Sequence, residues 1–172
     1  MSFGNLARRP DLRPLFGDLG ADDNEAFLDR LLAIDRELAS LAALASEHVG
    51  VLYELCSLGL AIRADGSSAG IHGGPSGDAG DIWFDVSPAG DVVGGWPVGP
   101  PWAVESRLVV FCCDGPEPRG DSNAHDLLRL AASSNTPAGV LDILESHVAA
   151  MRAEVTRHPR ERYTMTPHAE LP

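Results

Sequence analysis

The chain has 172 residues, 44% of them hydrophobic, and a net charge of −12 from 25 acids against 13 basic residues, every one of them arginine. That size and apolar content suit one globular domain burying roughly two thirds of its unfolded surface. Without lysine, the chain cannot perform Walker-type phosphate binding, Schiff-base chemistry or serine–lysine catalysis, and its negative field disfavours nucleic acid.

In chain order, residues 1–21 read as an irregular arm, with Arg9-Pro10, Arg13-Pro14 and Phe16-Gly17 as turn signals and scattered Phe3, Leu6, Leu12, Leu15 and Phe16 to lay it over a core. Asp22 to Gly59 follows with the clearest pattern. Phe27, Leu28, Leu31, Ile34, Leu38, Leu41, Ala45, Val49, Leu52 and Cys56 form one helical stripe, with Asp29, Arg36, Ser40, Glu47 and Glu54 opposite. Acids at 22, 23 and 25 suit the helix start and Gly59 suits its stop, while Gly50 is the point at which the helix would break. Leu60 to Arg63 starts a strand, and the glycine-rich stretch 65–80 is expected to be a loop that only a partner would order.

Asp81 to Val86 alternates, with Ile82, Phe84 and Val86 on one side and Asp81, Trp83 and Asp85 on the other. Ser87-Pro88-Ala89-Gly90 turns the chain, so Asp91-Val92-Val93-Gly94 is expected to return beside it as a hairpin. Trp96-Pro97-Val98-Gly99-Pro100-Pro101-Trp102 reads as a stiff loop outside any ladder. Val104 to Cys113 ends in an apolar run that predicts a central strand covered on both faces, and 114–123 is turn-rich. His125 to Ser134 suits helix or strand; strand is preferred because Thr136 and Pro137 open a new helix carrying Leu141, Leu144, Val148, Met151 and Val155 on one face. The expected fold is α+β: a long N-terminal helix, an antiparallel meander of about four strands, and a C-terminal helix packed on one sheet face. Residues 22–158 form the single domain, followed by an extended tail at 159–172.

The charge is unevenly placed: residues 1–16 sum to +2, 17–106 to −12 and 107–172 to −2. An acidic middle favours basic partners, although it also serves plain solubility. No apolar run reaches membrane-spanning length, and no apolar core follows Arg8 and Arg9, so a cytoplasmic protein is expected. Cys56, Cys112 and Cys113 are too few and too irregular for a disulfide framework, and the all-arginine composition matches a GC-rich bacterial genome.

Gly66-Ser67-Ser68-Ala69-Gly70 spells the nucleophile-elbow pattern, which requires a strand before the serine and a helix after it; a glycine-rich stretch follows instead. Adjacent Cys112 and Cys113 do not suit a metal site, and Asp78, Asp81, Asp85 and His72 do not follow calcium-loop spacing, so neither metal nor cofactor is expected. His48 and His147 lie at the margins of their helices' apolar stripes, as boundary residues. The three tryptophans remain: they either plug the end of the core or, set beside acids and a proline-rich loop, make a contact site.

The leading expectation is a non-catalytic acidic module, of the immunity, inhibitor or accessory-subunit kind, that binds a basic protein through Asp81, Trp83, Asp85, Trp96, Pro97 and Trp102. The alternative is a small serine or thiol hydrolase using Ser68 or Cys112/Cys113. A third reading pairs the helix at 22–58 with its own copy in a homodimer.

Overall fold

A computed structural model describes residues 12–48, 60–65, 68–73, 76–77, 80–111 and 124–157. Residues 1–11, the stretch 49–59 over which the helix is expected to continue through Gly50 to Gly59, Cys112 and Cys113, the sequence 114–123 and residues from 158 onward fall outside the described residues.

Leu12 precedes a single helical turn, α1 (Arg13–Phe16), and Leu12, Leu15 and Phe16 are all buried. Helix α2 (Ala21–His48) starts where Asp18 Oδ1 accepts the Gly20 N–H and Gly20 carbonyl accepts the Asn24 N–H, with Asp22 and Asp23 in the first turn where the helix dipole favours acids. Its stripe points inward as its spacing requires: Phe27, Leu28, Leu31, Ile34, Leu38 and Leu41 are buried. Helix α3 (Pro137–Arg157) is capped by Thr136, whose Oγ1 accepts the Gly139 N–H at 3.1 Å, with Pro137 in the first turn where no backbone donor is needed. Arg30 forks onto Asp142 and Glu145 at 2.7 and 2.9 Å, and Arg152 reaches Glu37 at 2.8 Å. Each pair advances along both helices together, so α2 and α3 run side by side in the same direction. At this exposure the ion pairs stabilise little, and apolar burial between the helices dominates.

The helices cover one face of an antiparallel sheet built from β1 (Leu60–Asp65), β2 (Ser68–Gly73), β4 (Gly80–Pro88), β7 (Trp102–Phe111) and β8 (Ala124–Ser134), paired in that order. The short β3 (Ser76–Gly77) also pairs with β4, in the register β2 uses, as Gly73 faces Phe84 and Ser76 faces Asp81. A separate two-stranded ribbon consists of β5 (Val92–Val93) and β6 (Trp96–Pro97). The architecture is α+β. Inward positions of neighbouring strands line up: Ile82, Phe84 and Val86 on β4 and Trp102, Val104 and Leu108 on β7 join Ile71 and the helix stripes in one core.

Four expectations need correction. The glycine-rich 65–80 is not a loop, because β2 and β3 lie within it; a ladder is made by backbone groups, and the buried Ile71 anchors β2 in the core. Among the described residues the antiparallel meander has five principal strands, with β3, β5 and β6 as two-residue additions. Residues 91–94 do not return along β4, which pairs instead with β7 over nine positions from Gly80↔Val110 to Pro88↔Trp102; a four-residue return cannot match that ladder. Pro97 does join a ladder. It faces Val92, whereas the backbone bonds of the ribbon fall on alternate pairs, Val98 N–H donating to Asp91 O at 2.9 Å, so Pro97 stands where no donor is required. β7 lies between two partners, as expected of a central strand, but Glu105 on its outer face is exposed, so it is not covered on both sides throughout.

Replacing Ile71 by alanine tests the placement of β2. Truncation of a fully buried isoleucine is expected to cost about 2–5 kcal/mol in urea unfolding. A change near zero would return 68–73 to a surface loop.

Candidate functional site

Between β4 and β7 the chain leaves the sheet and comes back, and residues 89–101 form an arm. Ala89 N–H donates to Pro101 O and Gly90 N–H to Val98 O, both at 2.8 Å, which zips its root. At the tip Gly94 and Gly95 take φ of 62° and 86°, the left-handed pair that a two-residue hairpin turn needs. Residues 91–98 are exposed without interruption, including Val92 at 67%, Val93 at 63% and Trp96 at 52% of full exposure, with Val98 beside them. Their sequence, apolar but for Asp91, would suit an interior, yet they project into water.

The arm is held at its root by Trp102. The indole N–H donates to Leu15 O at 3.0 Å, and the ring lies 5.1 Å from that of Phe16, which in turn lies 5.0 Å from Phe27. Gly99, inside the arm, sits so close to the Trp102 ring that a Cβ there would overlap it. The same end of the sheet therefore gathers the arm root, α1 and the first turns of α2, where Asp18, Asp22 and Asp23 are exposed.

The tryptophans thus divide. Trp102, only 5% exposed, is a core residue, which corrects its expected place in a contact surface; its phase with Val104 and Leu108 on β7 carried that signal. Trp96 and Pro97 are exposed on the arm. Trp83, at 37%, lies on the sheet face away from the helices, level with Arg107 and Arg129 in the register. Asp85 shares that face, half-buried and level with Glu105, and Asp81 occupies the same alternation, its side chain outside the described residues. The six residues expected to act together occupy three different places.

Ser68 opens β2, which pairs antiparallel with β1, so the strand-to-helix context of a nucleophile elbow does not exist there. A different serine meets an imidazole. Ser106 Oγ lies 2.7 Å from His147 Nδ1, joining β7 to α3 inside the core. Ser106 is fully buried and His147 nearly so, which corrects the placing of His147 at a stripe margin. The pair ties β7 to α3, the hydroxyl and Nδ1 satisfying each other inside the core. A polar residue at an inward position of β7, in phase with Val104 and Leu108, was the sequence sign of it. Two shallow apolar grooves of about 320 and 340 Å³ lie between α2 and α3, and neither is lined by Ser106 or His147. No group of three metal-ligating side chains occurs among the described residues, and no helix among them is long and apolar enough to cross a membrane.

Burial holds the His147 imidazole below its ordinary value near 6.5. The fold therefore favours the neutral ring, the unfolded chain takes up the proton first on acidification, and stability present above pH 6.5 is lost as pH falls toward the depressed value. The melting temperature should drop over that range, and His147→Asn, which keeps a polar atom near the Nδ1 position without titrating, should lessen the drop; an unchanged pH profile in the variant would contradict this. Searches of family models, of curated proteins and of solved structures find no match to the chain.

Proposed function

We propose that the protein acts by binding another protein, without catalysing a reaction, and that the apolar arm at 91–98 makes the contact. The observation that supports this reading is the arm itself: Val92, Val93, Trp96 and Val98 stand exposed in one short ribbon. Full burial of each such side chain in a complex contributes about 1.5–3 kcal/mol. A ribbon already closed by backbone bonds and rooted on Trp102 loses little freedom on binding, so more of that energy reaches the affinity.

The exposed acids Asp18, Asp22 and Asp23 at the same end of the molecule, in a chain of net charge −12, favour a basic partner. An immunity or inhibitor-type protein that covers a basic enzyme, or an accessory subunit of one, fits that combination. Trp96 is the anchor in this reading, since large aromatics at the centre of an interface carry a disproportionate share of binding energy.

Capture from a lysate of the source cells on immobilised protein tests the reading. Trp96→Ala and Val93→Asp should each weaken recovery of the partner about tenfold, equivalent to roughly 1.4 kcal/mol, while Trp83→Ala leaves it unchanged and raised salt lowers it. Undiminished capture by both arm variants would refute the assignment. Time-dependent labelling of Ser68 by a fluorophosphonate would favour the hydrolase instead.

A further inference from the structure

The two edges of the main sheet differ in kind. β1 is six residues long and carries Arg63 and Asp65, the short charged form that natural edges take to avoid pairing. β8 is eleven residues long, with neither proline nor glycine, and from 127 to 134 its only charge is Arg129. Its inner side pairs with β7 from Ala124 to Ser134, unbroken from Leu128 onward and with an irregularity at Leu127, and among the described residues no strand pairs with its outer side. Ala131, Ala132 and Ser133 are exposed in succession, hence on both faces of the strand, so nothing overhangs the edge there.

We propose that β8 pairs with β8 of a second copy, antiparallel about a two-fold axis, joining two sheets into one. Charge selects this occupant. Two chains each of net charge −12 repel wherever their acids meet, and residues 127–134 contain no acid at all. With Ala131 on the axis, Arg129 of one copy faces Ser133 of the other and Leu130 faces Ala132, so no like charges stand opposite. An isologous contact needs only one strand that complements itself, and small exposed side chains at 131–133 let the two backbones approach. The described apolar stripe of α2 is buried within the monomer. The pairing is independent of the arm, which projects from the link between β4 and β7.

Light scattering on the eluting peak of the full chain, over a range of loading concentrations, measures it. The expected mass is twice 18.2 kDa at high concentration, with backbone amides of 127–134 exchanging more slowly as concentration rises. Ala131→Glu places two carboxylates across the axis and Ala132→Glu places them beside it; both residues are exposed, so both variants should melt close to the parent and halve the mass. A monomer at every concentration overturns the proposal. So does a dimer that survives both substitutions, or one that only Trp96→Ala dissolves, which would make the arm the self-contact.

Discussion

Everything at the arm end of the molecule depends on where Trp102 sits. One ring does four things there: its N–H satisfies the Leu15 carbonyl, it packs at a tilt against Phe16, its burial closes the end of the core, and its flank fills the space left by Gly99. Buried indoles need a partner for their single donor, and the turn of α1 supplies it. The consequence is mechanical. The same residue that ends the core also fixes the root of the ribbon, so Val92, Val93 and Trp96 are presented from a rigid body.

That division between a buried and an exposed tryptophan explains how an acidic, alanine-rich chain can carry both a tight core and an exposed apolar tip. The core is completed without the arm: the helix stripes, Ile71, the inward residues of β4 and β7, and the Ser106–His147 tie close it. Apolar residues left over after a core is complete call for another explanation, and contact with a second molecule is the ordinary one. The Arg30 fork onto Glu145 and Asp142, which raises the guanidinium pKa still further, sits between α2 and α3 on the helix side and contributes nothing to that tip.

Much of this could be read from residues alone. The stripe of α2, the Thr136-Pro137 start of α3 and the alternation through β4 are local patterns, and local patterns survive folding when nothing competes with them. Strand partners were less legible. Periodicity says that Asp81–Val86 is a strand but not that β7, with nine matching positions, would outcompete the nearby 91–94 for it. The glycine-rich β2 was hidden for a related reason, since its ladder is backbone and its described anchor, Ile71, stands among residues that usually mark loops. Exposure was the least legible property. Trp96 and Trp102 flank the same prolines, and only the phase of Trp102 with Val104 and Leu108 separates a core residue from a surface one.

The central claim is that Trp96 is held out in water by a ribbon whose root, Trp102, is sealed, and that a partner covers the first while leaving the second untouched. Fluorine NMR of protein labelled with 5-fluorotryptophan measures both at once. The account predicts three signals, with those of Trp83 and Trp96 sensitive to exchange of light for heavy water and that of Trp102 insensitive; adding the captured partner should shift or broaden Trp96 alone. A solvent-insensitive Trp96, or a partner that perturbs Trp83 while Trp96 stays as it was, would contradict the account.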